Sequence, residues 1–389
     1  MNTVAELAQK LISFPSVTPH QAGCLDFIQS YLTNLGFACW RLPFEEVDNL
    51  YARWGQELPN FCFAGHVDVV PVQNPSIWED NPFLEQLADN GHVYGRGAVD
   101  MKGAIAAFMM AVTELLKEPL TGSISFLLTS DEEGIALNGT RKVVEWLQEK
   151  GETISLCLIG EPTSVNRIGD MIKIGRRGSL NIQVIVEGQA GHVAYPENFI
   201  NPNTILLEYL SALKREPLDE GTEFFQPSNL EITSIDVGNL TTNVVPATAE
   251  ARLNIRFNNL HTGESLIQHL KEVASRISVR IQLEARISGE PFYCSEQSVA
   301  SKIAQAIEAV TGQPPALSTS GGTSDARFIK DIAPVVEVGL LNQTAHQDDE
   351  HVSIEDLQTL QAIYAKILDS VLAQKWVEDL ARQSVKYFI

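Results

Sequence analysis

The chain has few cysteines, and none of them form a pair at the spacing of a metal or redox motif. Its 389 residues include five, namely Cys24, Cys39, Cys62, Cys157 and Cys294. An odd number of widely separated cysteines argues against a disulfide framework and against a thiolate zinc site. This usage is typical of a reducing compartment, so we expect a cytoplasmic protein.

Long hydrophobic runs and an excess of positive charge are also missing. No apolar run reaches the ~20 residues that span a bilayer. Residues 1–14 carry Glu6 and Lys10 in an amphipathic pattern and make a poor signal peptide. The chain has 28 Lys and Arg against 49 Asp and Glu, a formal charge of −21. This balance argues against nucleic acid or an anionic membrane as the main partner, but a few local arginines can hold a small anionic substrate.

Length and the order of predicted elements indicate two domains. At 389 residues the chain exceeds what one core usually holds. Short buried-strand patterns alternate with helices over residues 1–178 and 290–389, which predicts an α/β catalytic domain with a mostly parallel sheet covered on both faces. Residues 179–289 follow the order β-α-β-β-α-β of the ferredoxin-like split unit and predict an inserted second domain.

Acidic residues and histidines follow the predicted strands of the α/β domain. They are His66 after run 61–64, Glu132 and Glu133 after 124–129, Glu161 after 156–159 and His346 after 335–338. Asp100 lies between two glycine-rich turns in 95–103 (GRGAVDMKG), directly before an apolar helix predicted at 104–117. Ligands and chemistry gather at the carboxyl ends of strands in open α/β sheets. The set therefore predicts a two-metal centre bridged by Asp100.

Two neighbouring pairs suggest how this centre is built. Because side chains alternate along an extended chain, Asp68 lies on the same side as His66, and its carboxylate is expected to accept the imidazole N–H and fix the tautomer. Adjacent Glu132 and Glu133 in a turn point in different directions. One of them can therefore bind a metal while the other faces the substrate.

Four motifs resemble, in order and spacing, those of the two-zinc aminoacylase and carboxypeptidase superfamily. They are 66–68 (HVD), 95–103 (GRGAVDMKG), 130–134 (SDEEG) and 160–162 (GEP). One bacterial branch of this superfamily is similar at further stretches, namely 173–179 (KIGRRGS), 191–196 (GHVAYP), 242–246 (TNVVP) and 320–329 (SGGTSDARFI). The resemblance covers roughly residues 1–373.

The resemblance implies an amidohydrolase that acts on a small anionic N-acyl amino acid in lysine and cell-wall precursor synthesis. It implies two Zn²⁺ ions bridged by Asp100, with His66 and Glu161 completing one site and Glu133 and His346 the other. Imidazole and carboxylate ligands suit zinc, although the second site can also accept Co²⁺ or Mn²⁺.

The resemblance also implies the remaining roles. Glu132 would be the general base, and His192 from a partner subunit would help to hold the oxyanion. Asp68 is placed in the catalytic set with them, as the carboxylate expected to orient His66. That role for His192 requires a homodimer formed through the inserted domain. The residues expected to bind the substrate are Arg176, Ser179, Tyr195, Asn243, Arg256, Gly322, Thr323 and Asn342.

Several alternatives stay open at this point. His351 and the acidic run 348–350 are rivals to His346 for the second metal, although the register of 342–346 (NQTAH) favours His346. An acetylornithine deacetylase or a broader acylamino-acid hydrolase would use the same metal chemistry. A substrate without a second remote carboxylate would leave four of the expected contacts idle, namely Arg176, Ser179, Arg256 and Thr323. An inactive metal-binding scaffold is a further alternative.

Overall fold

The computed structural model describes residues 2–72, 81–84 and 90–372. The first of two compact units consists of the described parts of Met1–Ile174 and Ser324–Ile389 together with Cys294–Ser318. The second consists of Gly175–Tyr293 and Thr319–Thr323. It therefore begins four residues before the predicted position 179 and takes in a short segment from later in the chain. The part of the predicted 290–389 segment beyond residue 372 lies outside the described residues.

The elements alternate between helix and strand through most of the chain. The helices are α1 Val4–Ile12, α2 Cys24–Asn34, α3 Lys102–Leu115, α4 Thr140–Lys150, α5 Pro202–Leu213, α6 Gly263–Ile277, α7 Gln297–Thr311, α8 Ala326–Ile329 and α9 Ile354–Leu372. The strands are β1 Ala38–Arg41, β2 Asn49–Trp54, β3 Asn60–His66, β4 His92–Tyr94, β5 Ser123–Thr129, β6 Leu156–Ile159, β7 Met171–Lys173, β8 Gly175–Arg176, β9 Gly178–Glu187, β10 Gly191–His192, β11 Asn229–Asp236, β12 Val244–Val245, β13 Thr248–Phe257, β14 Ile281–Gly289, β15 Phe292–Tyr293, β16 Ala316–Ser318, β17 Val335–Glu337 and β18 His351–Ser353.

The first unit is built on an eight-stranded sheet in the order β1-β2-β5-β3-β6-β17-β7-β16. Strands β5, β3, β6 and β17 are parallel neighbours, whereas β1 and β2 are antiparallel. Every residue of β3 and β5 is buried, as expected for parallel strands covered on both faces. The predicted α/β fold with a mostly parallel central sheet is confirmed. Its parallel strands end at one common edge, where His66 pairs with Thr129.

An aromatic cluster fixes α3 and α9 to the sheet. The Phe108 ring on α3 lies 4.3 Å from that of Phe63 and 5.1 Å from that of Phe126, centroid to centroid. Tyr364 on α9 contacts the same ring at 5.7 Å. All four side chains are fully buried. Burial of each contributes on the order of 1.5–3 kcal/mol, and α3 is thereby held directly behind Asp100.

Local features differ from the sequence prediction: helix α3, Lys102–Leu115, begins and ends two residues before the predicted helix 104–117. Helix α4 begins at Thr140, after a turn in which the Asp131 carboxylate accepts hydrogen bonds from the backbone N–H groups of Ala136, Leu137 and Asn138 at 3.1, 3.1 and 3.2 Å. The short antiparallel pair of β4 and β18 was not predicted. Strands of three residues carry too little periodicity to be recognised.

The second unit has a four-stranded antiparallel sheet in the order β11-β13-β9-β14, with α5 and α6 packed on it. In chain order its main elements are strand, helix, strand, strand, helix and strand. Strand β13 pairs with β9 over ten residues without a register shift. The buried positions of β9 alternate at Leu180, Ile182, Val184 and Val186, so one face of this sheet meets the helices.

Two further structural features concern helix length and the cysteines. Among the described residues, no helix has the length and apolarity to cross a membrane. Each of the five cysteines is a free thiol.

Replacing Phe108 with alanine tests the packing of the first unit. The variant should lose ~3–5 kcal/mol of unfolding free energy, since the cavity would open between two helices and the sheet. Urea unfolding of metal-stripped protein measures this loss. Val279→Ala is the control, because Val279 is 94% exposed and should change stability by less than ~0.5 kcal/mol. A loss below ~1 kcal/mol for Phe108→Ala would contradict the close packing described here.

Candidate metal centre

Asp100 lies between two imidazoles at the carboxyl edge of the sheet. Its Oδ1 is 3.2 Å from His66 Nε2, and its Oδ2 is 3.2 Å from His346 Nε2. The carboxylate is 11% exposed. Each oxygen thus faces a different histidine, which is the arrangement that a bridging carboxylate requires.

His66 ends β3 and is 1% exposed. Its Nδ1 lies 2.9 Å from the backbone carbonyl oxygen of Asp68, so we assign the Nδ1 proton to that hydrogen bond. The Nε2 atom then faces Asp100 and lies 3.7 Å from Glu161 Oε1. This half of the centre presents one imidazole nitrogen and two carboxylates to a common point.

Asp68 acts differently from the sequence expectation. Its carboxylate Oδ1 is 3.7 Å from His66 Nδ1, too far for the expected hydrogen bond, and the backbone carbonyl takes that proton instead. The carboxylate accepts from Glu132 N at 3.3 Å and from Glu133 N at 3.0 Å. It is fully buried, and burial raises the pKa of Asp68 to about 6. Asp68 therefore shapes the turn that presents both glutamates.

Glu133 and His346 form the other half of the centre. Glu133 Oε1 lies 2.7 Å from His346 Nε2, and the glutamate side chain is 10% exposed. His346 has a φ of 62°, in the left-handed region that β-branched residues avoid. Its imidazole thereby reaches both Glu133 and Asp100 from a loop that follows β17.

The rivals of His346 make other contacts. The His351 ring stacks on Tyr94 with centroids 4.9 Å apart, and its Nδ1 lies 2.8 Å from the backbone oxygen of Asp349. Glu350, in the acidic run 348–350, is fully buried and accepts hydrogen bonds from the loop before Asp100. The geometry favours His346, which stays the predicted ligand.

Two overlapping groups of side chains have the spacing to hold a cation. In each group the potential ligand atoms lie within 4.8 Å of one another, and the groups are His66, Glu132, Glu161 and His66, Asp100, Glu133. The pKa of Glu132 is raised to about 8, mainly by burial and also by the charges of Asp325 and Glu133, against the lowering effect of His66 and Arg327. A carboxyl group of this kind can exchange a proton near neutral pH.

The shifted pKa values of the two histidines and of Asp100 indicate that the centre favours positive charge. Burial lowers the pKa of His66, but the hydrogen bond to Asp100 and the nearby carboxylates outweigh burial and raise it well above the ordinary value. Hydrogen bonds to Asp100 and Glu133 raise the pKa of His346 to about 10. Burial raises the pKa of Asp100, but both histidines together hold it well below its usual range. Imidazole and carboxylate donors with this charge balance suit divalent cations.

The predicted substrate-binding residues of the second unit fall into separate groups. Arg176 is buried, and its Nη1 donates to the Gly322 backbone oxygen at 3.2 Å. Gly322 directly precedes Thr323, another of the predicted residues. Ser179 lies opposite Arg256 in the β9–β13 pair. Burial lowers the pKa of Arg256, and so does the charge of Arg177.

The other predicted residues are exposed. The His192 and Tyr195 rings lie 5.6 Å apart, and the Asn243 backbone oxygen accepts from Val193 N at 3.1 Å beside the short β10–β12 pair. Asn342 belongs to the first unit, where its backbone N–H donates to the Ser164 oxygen at 3.1 Å. Each unit by itself thus brings together only part of the predicted set.

Sequence reasoning did not identify the roles of two buried carboxylates near the centre. Asp325 is 3% exposed and accepts from Thr140 Oγ1 at 2.6 Å, and its charge raises the pKa of Glu132. Glu350 was noted only as a possible ligand. Asp325 lies within the motif 320–329, which was a usable signal, whereas the partners of Glu350 are about 250 residues away in sequence.

Residues 62–370 match the family described as Peptidase family M20/M25/M40. The chain belongs to this family. The resemblance inferred from its motifs is thereby confirmed. The M20 chain is 51% identical over 368 residues to a protein of Phenylobacterium zucineum named succinyl-diaminopimelate desuccinylase, which covers 93% of this chain and 97% of that one. It is 53% identical over 370 residues to a protein of the same name from Rhodospirillum centenum, with 93% and 96% covered.

A solved structure shows the same fold. The YXEP protein of Bacillus subtilis, described as a dinuclear metal binding peptidase from M20 family, aligns with a TM-score of 0.71. The alignment covers 95% of this chain and 97% of that one at 17% identity.

Proton release on metal binding tests the protonation of this M20 centre. In metal-free protein at pH 7, His66 and His346 hold protons because their pKa values are raised. A metal ion binds neutral imidazole, so binding should release about one proton from each histidine, and affinity should rise with pH. Calorimetric titration with Zn²⁺ in two buffers of different ionisation heat counts these protons.

Two histidine variants sharpen the measurement. His346→Ala should release about one proton fewer, whereas the control His351→Ala should release the same number as the unmodified protein. Equal effects of the two substitutions would contradict the choice of His346, and absence of proton release would contradict the raised pKa values.

Proposed function

We propose that the chain is a metal-dependent amidohydrolase that cleaves N-succinyl-LL-2,6-diaminopimelate to succinate and LL-2,6-diaminopimelate, in lysine and meso-diaminopimelate biosynthesis. The observation that carries the proposal is the position of Asp100 between His66 and His346, with Glu132 in the same cluster. The name shared by relatives of about half identity supports the choice of substrate.

The proposed ions are two Zn²⁺, with Co²⁺ or Mn²⁺ as alternatives at the second site. His66 and Glu161 are proposed for one ion, Glu133 and His346 for the other, and Asp100 for both. Bound there, two divalent ions would polarise the scissile carbonyl and lower the pKa of the attacking water.

Glu132 is the proposed general base. Water adds through its oxygen to the amide carbon while Glu132 removes a proton from that water. Glu132 then returns the proton to the amine nitrogen as the C–N bond breaks. The hydrogen bond from Glu132 N to the Asp68 carboxylate supports this role, since it fixes the backbone from which the base projects.

Arginine side chains of the second unit are proposed to bind the carboxylates of the substrate. A planar guanidinium donates two parallel hydrogen bonds to a carboxylate, which an ammonium group cannot do. Arg176 and Arg256 are proposed for this role. The further proposed contacts are Ser179, Tyr195, Asn243, Gly322, Thr323 and Asn342.

Product release from two substrates tests the proposed reaction. Protein reloaded with Zn²⁺ should release succinate from N-succinyl-LL-2,6-diaminopimelate and should act far more slowly on N-acetylornithine. Glu132→Gln should lower kcat by about 10²–10⁴-fold with unchanged metal content, because the substitution removes the base and leaves the proposed ligands in place. Glu149→Gln, at an exposed position of α4, is the control.

Each contrary result changes a different part of the proposal. Activity on the acetyl compound alone would keep the metal centre and change the substrate. No activity with metal bound would favour the inactive scaffold. A parallel loss of metal from Glu132→Gln would make that residue a ligand.

We also propose a homodimer formed through the second unit, in which His192 acts in the active site of its partner subunit. The support is exposed apolar surface on this unit: Leu207 on α5 is 59% exposed, Ile235 on the edge strand β11 is 51% exposed and Leu240 is 97% exposed. An exposed edge strand with apolar neighbours is a template for pairing with another chain.

Mixed dimers test whether His192 acts across subunits. His192→Ala and Glu132→Gln chains should each be nearly inactive alone. If His192 acts in trans, co-expressed chains should regain up to about a quarter of the unmodified activity, since half of the dimers are mixed and each has one intact site. Mass analysis of the purified sample verifies the mixture. A fully active monomer, or mixed dimers without regained activity, would contradict the proposal.

A further inference from the structure

The Glu350 side chain is fully buried and accepts hydrogen bonds from the loop that carries Asp100. Its Oε2 accepts from Arg96 Nη1 at 3.0 Å and from Gly97 N at 3.1 Å. Its Oε1 accepts from Val99 N at 2.8 Å and from Asp100 N at 3.1 Å. A carboxylate has about four lone-pair sites, so these four donors use the acceptor capacity of Glu350.

The loop needs these acceptors because it turns sharply through a buried region. Gly95 and Gly97 have φ angles of 142° and 89°, which favour glycine. Inside the loop, Ala98 N donates to Gly95 O at 3.0 Å and Lys102 N donates to Gly97 O at 2.9 Å. The N–H groups of Gly97, Val99 and Asp100 instead point to Glu350. Buried backbone N–H groups are almost always paired, and here the partner is one side chain.

The segment that supplies Glu350 also supplies His346. His346 Nε2 lies 3.2 Å from Asp100 Oδ2, and Glu350 Oε1 accepts from the backbone N–H of the same aspartate. The segment is itself held in place: Glu350 O accepts from Gly95 N at 2.9 Å, and β18 pairs with β4 directly after it. Residues 346–350 thus contact Asp100 at both its backbone and its carboxylate.

A ligand role for Glu350 does not fit these contacts. Both of its oxygens face N–H donors, and the side chain is fully buried below the loop. Its carboxylate cannot turn towards His66 without breaking four hydrogen bonds. The contacts instead determine where the backbone of Asp100 lies and therefore where its carboxylate projects.

We propose that Glu350 is a positioning residue of the metal centre, which holds the Asp100 carboxylate between His66 and His346 before any ion binds. The inference rests on the proposed metal centre. A ligand that is already oriented does not have to be ordered when the ion arrives, so its orientation increases metal affinity. Partners that orient metal ligands are known to matter in this way, although they do not contact the ion.

Replacing Glu350 with glutamine tests the inference without changing the size of the side chain. The amide NH₂ group would face two N–H donors in place of an acceptor, so the loop should shift. Zn²⁺ affinity of the metal-stripped protein should fall by about 10- to 100-fold, measured by competition with a chromophoric chelator. Amide hydrogen exchange at residues 97–100 should be faster in the metal-free variant, a readout that does not depend on activity.

Glu152→Gln is the matched control. Glu152 also pairs with an arginine, Arg53, and accepts from Tyr51 Oη at 3.0 Å and Asn60 Nδ2 at 3.2 Å. Asn60 begins β3 and His66 ends it, so this network lies at the other end of the strand. The control should lower stability and leave Zn²⁺ affinity unchanged.

The possible outcomes separate this inference from the metal centre itself. Unchanged Zn²⁺ affinity of Glu350→Gln, or an equal fall in Glu152→Gln, would overturn the positioning role while the centre stands. If Glu350→Gln does not fold, Arg96→Met is tested in its place. This substitution removes one of the four donors to the Glu350 carboxylate. A several-fold loss of affinity in that variant supports the inference, and no loss overturns it. If the unmodified protein binds no Zn²⁺, the proposed centre fails and the inference fails with it.

Discussion

The first unit depends on one carboxylate, that of Asp100, which contacts both His66 and His346. A nearly buried anion that faces two imidazoles requires positive charge, and in the metal-free state raised histidine pKa values supply it as protons. Parallel pairing of β3, β5 and β6 brings His66, Glu133 and Glu161 to one edge, because strands that run together also end together. The fold therefore concentrates negative charge where a divalent cation can compensate it.

Acidic side chains outside the proposed ligand set shape the loops around this centre. Asp68 accepts from the backbone N–H groups of residues 132 and 133, Asp131 from 136–138, and Glu350 from 97, 99 and 100. A carboxylate suits this task because it accepts several N–H donors at once and donates none. Part of the large acidic excess of the chain is thus used internally, so net charge alone overstates how acidic its surface is.

The position of the proposed ligands in the fold could be predicted from sequence, whereas the contacts that orient them could not. Buried runs of four to seven residues mark the strands, and the residue after each run falls at the sheet edge whatever the details of packing. The predicted hydrogen bond from His66 to the Asp68 carboxylate is wrong. Alternation along the chain predicts on which side a side chain lies, but it does not predict whether the His66 ring donates to the carboxylate or to the backbone carbonyl of Asp68. The partners of Glu350 lie about 250 residues away, so only the folded chain brings them together.

The residues proposed for the chemical step and most of those proposed for substrate binding belong to different units. All proposed metal ligands and the base Glu132 belong to the first unit, whereas Arg176 and the segment Thr319–Thr323 belong to the second, contrary to the boundary expected from sequence. Arg176 joins this unit because β8 pairs with β15 and its guanidinium bonds to Gly322. Each unit has its own core, so the proposed substrate contacts of the second unit and the proposed ligands around Asp100 are held by separate packing. Asn342 is the exception: it lies four residues before His346, so the chain that carries a proposed metal ligand also carries a proposed substrate contact.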